Sequence, residues 1–563
     1  MTDPAQSIIA ARGAQMFPHL ADDEMVRLAK FGERRGYRAG DMVARAGEVA
    51  PGLILILSGQ LEVLQHGGGG QGASIVTHER GNFTGELAQL SGRPSLVDSI
   101  ARTDVEAVVI PSDRLRALLV AEADLGERIM RALILRRMGL IEAAAGPIIV
   151  GDEANADVLR LVNFLRRNGH PYQALDPASD SCARTLVEQF DVGPGDLPIV
   201  LCPAGQMLRN PSEDQLARCV GLVSAIDPDK LYDLVVIGAG PAGLATSVYA
   251  GSEGLNVLTI DCRSFGGQAG ASARIENYLG FPTGISGMAL MGRAFSQAQK
   301  FGVEVAIPDE AVRLECGSDP CHIALATGER VQARAVVLAT GAQYRRLDVA
   351  RLDEFEGSSI HYWASPLEAD LCVGEDVALI GGGNSAGQAT VFLSTRARQV
   401  TLIARRPLSE TMSQYLIERI EAQPNIAVVT GCEVAELEGG TGQLDAITYR
   451  DRRSGAVTRC PVRYLFSFIG AAPNTEWLRS SGIQLDERGF VRTGADAGND
   501  FPLGTSRRGI FAIGDVRAGS VKRVAASVGD GAQVVAAIHA YLAADTAASE
   551  PVTIIQPQVV TIA

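Results

Sequence analysis

The chain has 563 residues, with 65 acidic against 51 basic side chains and a net charge of −14. That length predicts three or four domains, and the acidic balance argues against a nucleic-acid partner. No stretch approaches the ~18 continuous apolar residues of a membrane span, and MTDPAQ lacks the basic and apolar regions of a secretory signal, so a cytoplasmic protein without a membrane partner is expected.

Residues 1–145 are expected to form a separate unit. Helical MFPHLADDEMVRLAKFG (16–32) leads into short strands cut by glycine turns, YRAGDMVARAGEVAPGLILILSGQLEVLQ (37–65). Strands so short and so regularly punctuated predict a small antiparallel barrel or jelly roll. FTGELAQLSGRPSLVDSIA (83–101) follows, then a helix from about Asp113 to Ala145. The segment resembles a cyclic-nucleotide-binding domain, whose phosphate cassette reads G-E-L-A and then P-R-x-A. Gly85, Glu86, Leu87 and Ala88 match the first half, and the resemblance gives Glu86 the ribose 2′-OH. The second half departs from it. Ser95 follows Pro94 where the phosphate-binding arginine belongs, and Val97 and Asp98 replace small residues. Losing that charged hydrogen bond forfeits about 1.5–3 kcal/mol. The reading is therefore against a cyclic-nucleotide partner and for a degenerate fold kept for packing or docking; the alternative has Arg93 stand in for the arginine. No helix-turn-helix pattern follows, which argues against a transcription factor.

Residues 147–225 read as strand PIIV, helix NADVLRLVNFLRRNG, strand YQALD, helix CARTLVEQFDV, strands in DLPIVL and CPAGQMLRN, and helix EDQLARCVGL. This βαβα–ββα order resembles a thioredoxin or glutaredoxin fold, and Pro198 matches that family's cis-proline before a strand. GDEANAD (151–157) stands where the resemblance places the redox motif, and it has no cysteine.

Two phosphate-cradling fingerprints follow, each behind a β-branched apolar run. LVVIGAGPAG sets Gly238, Gly240 and Gly243 in G-x-G-x-x-G spacing; VALIGGGNSA sets Gly381, Gly383 and Ala386 in the G-x-G-x-x-A variant, with Asn384 and Ser385 between. Glycine lets the chain turn tightly and approach a pyrophosphate, which rests on the N-terminal dipole of the next helix. Two copies in strand–turn–helix settings predict two dinucleotides and electron transfer between them. After the first, NVLTID ends in Asp261, an acceptor for ribose hydroxyls. After the second, QVTLIA is followed by Arg405 and Arg406, whose guanidiniums suit a 2′-phosphate. The second ligand is read as NADPH.

From about Tyr232 the chain resembles the low-molecular-weight thioredoxin reductase flavoproteins. GPAG (240–243), SFGGQAG (264–270), IENYLGFP (275–282), ATGA (339–342), GGGNSA (381–386), IGAAPNT (469–475) and IFAIGDV (510–516) match that family's blocks in order. The resemblance implies FAD along Gly238, Gly240, Gly243, Asp261, Gln268, Asn277 and Asp515, with Arg523 and Val524 near the ring. It implies NADPH on Gly381, Gly383, Asn384, Ser385, Ala386, Arg405 and Arg406, a homodimer, and domain rotation about the hinge sequence GAQYRRL (341–347). The expected fold is α/β, with two Rossmann-like dinucleotide-binding domains preceded by a β-roll cyclic-nucleotide-binding-like domain (1–145) and a thioredoxin-like α/β domain (147–225). The FAD-binding domain is split, 230–346 and 471–545, around an NADPH-binding domain, 347–470, and a tail, 546–563, ends the chain. The whole arrangement resembles bacterial fusions of a cyclic-nucleotide-binding domain with a thioredoxin reductase.

The thioredoxin reductases carry a redox Cys-x-x-Cys shortly before the second fingerprint strand, because disulfide exchange needs two thiols. Here IHYWASPLEADLC (360–372) supplies Ala364 and Leu367, or Trp363 and Pro366, according to the alignment. The nine cysteines contain no C-x-x-C, and with 7 histidines no metal site is expected. Most are read as small apolar residues in a reducing compartment, with Cys316 and Cys321, flanking a GSDP turn, the alternative redox pair. Trp363 is read either as a flavin neighbour or as a core residue. The expected function is hydride transfer from NADPH to FAD, then direct transfer to a redox protein or small molecule such as ferredoxin, flavodoxin or a quinone. The alternatives are a disulfide reductase using Cys372 or Cys316/Cys321, an NADPH oxidase, and a non-catalytic redox sensor.

Overall fold

The computed structural model describes residues 8–65, 73–143, 146–190, 192–203, 205–223, 226–316, 320–440 and 442–549. The last helix, Val524–Ser549, runs past residue 545, and the expected tail from 550 lies outside the described residues.

The N-terminal part is a roll of two antiparallel sheets. Glu33–Tyr37, Val105–Ile110 and Leu53–Ser58 form one; Met42–Ala44, Val97–Ala101, Leu61–Gln65 and Ser74–His78 form the other. Strand Leu53–Ser58 serves both faces through its period of two: Leu53 and Leu55 join the helices, while Ile54 and Ile56 join Val63 and Ala107 between the sheets. The single helix expected from Asp113 to Ala145 is two, Ser112–Ala121 and Ala123–Glu142. It breaks at Glu122, which leaves helical geometry (φ −112°, ψ 83°) and is held by Arg27.

The 147–225 unit has the strand order Met207–Arg209, Ile199–Leu201, Ile148–Val150, Gln173–Leu175, antiparallel but for the last pair. Helix α1 (Ala156–Arg167) starts at Asn155, whose side chain accepts from the N–H groups of Asp157 and Val158 at 2.8 and 3.3 Å. Its apolar face, Val158, Leu161, Val162 and Leu165, packs on Ile149, Val200 and Leu216. The Leu197–Pro198 peptide is cis, as expected. One cysteine reading is corrected here. Cys202 and Cys219 form a disulfide with a Cα–Cα separation of 5.8 Å, within the usual bridging range. Seventeen residues of separation carry no motif; the ends of strand Ile199–Leu201 and helix Glu213–Cys219 meet only in the fold.

His78 in the roll and His170 in this unit are both buried, and burial pushes each imidazole down to about 3, aided by Arg136 and Arg137 respectively. Between pH 6.5 and 3 the unfolded chain binds protons that the folded chain refuses. Stability therefore falls as pH falls, by about 1.4 kcal/mol per unit for each histidine. Native-state hydrogen exchange over 33–110 and 147–222 is expected to lose about 16-fold of protection per histidine between pH 6.5 and 5; protection independent of pH would refute it.

The remaining chain is built around two mainly parallel sheets, beside a three-stranded antiparallel one, Cys432–Gly440, Gln443–Asp451 and Val457–Cys460. In the first, Glu304–Ala306, Val257–Ile260, β1 (Leu231–Ile237), Arg330–Leu338 and Ile510–Ala512 are parallel, and a hairpin, Cys321–Leu325 with Ala311–Glu315, extends one side. β1 is apolar on both faces, as a covered parallel strand must be: Leu234 and Val236 pack with Val534 and Ile538 of the last helix, Tyr232 and Val235 with Val331 and Val336. Helix α2 (Pro241–Ser252) follows β1 and lies along the last helix, where Gly531 permits close approach to Ala245. The second sheet runs Ile360–His361, Tyr464–Ser467, β2 (Asp376–Ile380), Gln399–Ala404, Ile426–Thr430, all parallel, and helix α3 (Asn384–Leu393) follows β2. The chain crosses between the two bodies along Ala342–Tyr344 and Ala471–Pro473, which pair antiparallel.

Candidate dinucleotide site

Both fingerprints open into one cleft of about 2770 Å³, far above the roughly 300–1,000 Å³ of a single small-ligand site. Gly238 leaves β1 at φ +110°, where a Cβ would stand 2.3 Å from the Ala339 carbonyl oxygen. Gly240 caps α2 and lies against Gly267, both at the edge of the cleft. Gly243 does not line the cleft. It lies beneath it, where a Cβ would stand 1.8 Å from the Gly238 oxygen, so its lack of a side chain lets α2 close onto β1. The second fingerprint repeats the turn: Gly381 has φ +149° and Gly383 caps α3. Ala386 is buried beneath it yet still borders the cleft. Asn384 accepts from the Ser413 N–H at 2.7 Å, tying this turn to the loop opposite, while Ser385 lies beside the Tyr344 hydroxyl.

Asp261 borders the cleft at the end of its strand, but its carboxylate is already engaged. It accepts from the N–H groups of Ala239, Arg263 and Ser264 at 2.8, 3.0 and 3.1 Å. Burial pushes its pKa up and these bonds oppose that rise. A carboxylate has about four acceptor positions, so one is left for a ribose hydroxyl. Gln268, Asn277 and Asp515 line the same cleft, and burial raises the Asp515 pKa. Arg523 and Val524 border it where the last helix begins, presenting that helix's positive end. Lys522, which the sequence reading missed, donates to the Asp515 carbonyl at 2.6 Å.

The two arginines after the second fingerprint separate in space. Arg405 lines the cleft, with Glu433 3.8 Å away; Arg406 does not line it and turns to Glu410 at 3.7 Å. Trp363 lines the cleft half-buried, so it is no core residue. Its indole N–H donates to Glu368 at 2.9 Å, and the Arg263 guanidinium lies 5.8 Å over its ring.

The cleft has a further wall that the sequence reading did not anticipate. Helix α1 of the 147–225 unit lines it through Ala156, Arg160, Asn163 and Arg167. Asn163 donates to fully buried Glu368 at 3.0 Å, and Leu367 packs on the core of that unit. Arg167 and Asn168 reach the first body, donating to the Gly267 and Arg263 carbonyls at 2.8 and 3.0 Å. No periodicity or motif links positions so far apart. Asn163→Leu is expected to cost about 1–3 kcal/mol, because buried Glu368 loses a hydrogen-bond donor; chemical denaturation checks this.

Cys372, fully buried, has its pKa pushed up to about 12 by burial and by Glu368, so it is a thiol at neutral pH. Cys316 and Cys321 are not bonded to each other. In the roll, Glu86 is buried against Arg137 at 2.9 Å. Ser95 donates to the Val97 carbonyl, and Pro94 lies against Gly221 of the next unit. Among the described residues no group of His, Cys, Asp and Glu suits a metal, and no helix is long and apolar enough to cross a membrane.

Two phosphate-binding turns opening on a shared cleft define an oxidoreductase that handles two dinucleotides. Comparison with known proteins narrows this. The model of the pyridine nucleotide-disulphide oxidoreductase family matches residues 232–531, and that of the cyclic nucleotide-binding domain matches 34–122. Thioredoxin reductase of Ureaplasma parvum is 33% identical over 311 residues, 55% of this chain and 96% of that protein. That of Mycolicibacterium smegmatis is 32% identical over 302 residues, 54% and 93%. The crystal structure of Lactococcus lactis thioredoxin reductase superimposes with a TM-score of 0.52 at 27% identity, covering 56% of this chain and 99% of that one. The chain belongs to the pyridine nucleotide-disulphide oxidoreductase family. Thioredoxin reductases in it use FAD and NADPH.

Proposed function

We propose that the protein is an NADPH-dependent FAD oxidoreductase whose electrons pass from the flavin straight to an acceptor, with no dithiol of its own between. The observation that carries this reading is the segment 363–367, which holds no cysteine and is covered by α1, while the nearby thiol of Cys372 is buried and protonated. The cleft fits the two cofactors, because glycines leave both turns open where a Cβ would intrude.

The first turn and the start of α2 hold the FAD diphosphate, and Asp261 offers its remaining acceptor position to the ribose. Asp515, Arg523 and Val524 border the flavin, and Arg405 grips the NADPH 2′-phosphate while Gly381 and Gly383 admit the diphosphate. The bound pair supplies hydride transfer from nicotinamide to flavin; the protein supplies alignment and a site walled from water on the α1 side. The 147–225 unit, thioredoxin-like in its strand order and cis-proline, acts as a brace across the two bodies rather than as a disulfide exchanger at 151–157. The roll serves as a docking module without a cyclic nucleotide, since Ser95 replaces the phosphate arginine. We place the protein in the cytoplasm as a homodimer.

A second reading has one specific observation behind it: the Cys202–Cys219 disulfide makes the chain itself a disulfide substrate. Anaerobic stopped-flow distinguishes the two. Flavin bleaching by NADPH, then reoxidation by ferredoxin, flavodoxin or quinone but not thioredoxin, is the expected result. Thioredoxin-dependent turnover that disappears in Cys202→Ser would select the second reading, and failure of NADPH to bleach the flavin would refute both.

A further inference from the structure

Arg167 is the last residue of α1 and belongs to a different unit from the fingerprint it touches. Its Nη2 donates to the Gly267 carbonyl at 2.8 Å. Gly267 is in turn stacked on Gly240: a Cβ on Gly267 would lie 3.1 Å from the Gly240 Cα. The guanidinium therefore stands within one residue of the turn where a dinucleotide diphosphate rests. It lines the cleft, and its Nε is buried without a hydrogen-bond partner.

Asp261, Glu213 and Glu368 stabilise this cation through space, but each makes its contacts elsewhere. Asp261 is committed to three backbone N–H groups, Glu213 to Arg263 at 2.7 Å, and Glu368 to Asn163, Trp363 and the Ser365 N–H. Among the described residues Arg167 lies within ion-pair distance of none. A half-buried guanidinium with one backbone acceptor, an idle Nε and no contacting carboxylate is incomplete, because a desolvated charge is stabilised most by an anion in direct contact. A diphosphate supplies the missing anion in the geometry a planar fork prefers.

We propose that Arg167 binds the diphosphate of FAD, so that the flavin site is built from two domains and the 147–225 unit closes over the cofactor. This rests on the reading of the first fingerprint as an FAD site. It makes the N-terminal unit a part of cofactor binding, beyond its role as a brace.

The test uses full-length apoprotein prepared by removing flavin, titrated with FAD, ADP and adenosine by calorimetry. Arg167→Gln is expected to weaken FAD and ADP by about 10- to 100-fold, the loss of a charged hydrogen bond to a buried anion, and adenosine by less than about 2-fold. Arg166→Gln, a neighbouring charge on the same helix, is expected to leave all three within about 2-fold. If Arg167→Gln does not fold, Arg167→Lys is read the same way, with an expected loss of about 3- to 10-fold confined to the diphosphate ligands. Equal weakening of adenosine and ADP would reduce Arg167 to a clasp between domains and overturn the proposal, as would unchanged FAD affinity. Native apoprotein that binds no FAD would instead overturn the reading on which the proposal rests.

Discussion

Gly243→Ala is expected to yield a protein that purifies without flavin. The added methyl would stand 1.8 Å from the Gly238 oxygen, and both atoms belong to the strand–turn–helix backbone, so no side chain can step aside. Helix α2 would have to withdraw from β1 and carry its N-terminus away from the phosphates it is placed to hold. The cost is on the order of 4 kcal/mol, at the upper end for one substitution, and falls on the turn itself. Flavin absorbance per protein, with circular dichroism to show that the chain has folded, reads the result; stoichiometric flavin would refute it. The second fingerprint provides the contrast. Ala386 occupies the equivalent place and is accommodated there, so Ala386→Gly should cost only about 0.5–1 kcal/mol of helix propensity.

Arg405→Ala is expected to raise KM for NADPH by about 10- to 100-fold and leave KM for NADH nearly unchanged, whereas Arg406→Ala should alter either by less than about 3-fold. The asymmetry is geometric. Arg405 lines the cleft and its long ion pair with Glu433 leaves the guanidinium free to turn to a phosphate, while Arg406 points away beside Glu410. Steady-state kinetics of flavin reduction with both nucleotides decides it. Equal effects from the two arginines would mean that the loop after strand Gln399–Ala404 rearranges on binding.

Much of the site was legible because its chemistry is local. A glycine with φ above +100°, a helix that begins three residues later, and an acidic residue after the next strand are demands made within about thirty residues of chain. The cysteine-free segment 363–367 is likewise plain in the sequence. Other readings needed distance. Gly243 and Arg406 belong to the motifs yet stand off the cleft, one as a packing contact and one as a solvent-facing ion pair. The expected single helix from Asp113 is interrupted at Glu122, which pairs with Arg27, ninety-five residues earlier.

By itself the sequence determined that two dinucleotide turns exist, that the second is followed by two arginines, and that the segment 363–367 holds no cysteine. The tertiary structure alone decided that Cys202 meets Cys219, that Glu368 is held by Asn163 across 205 residues, and that Arg167 stands over Gly267. Backbone geometry and strand period are set by near neighbours, so they leave a pattern in the chain. Contacts between separate units depend on which faces pack together, and a polar residue destined for such a face is indistinguishable in sequence from one facing water.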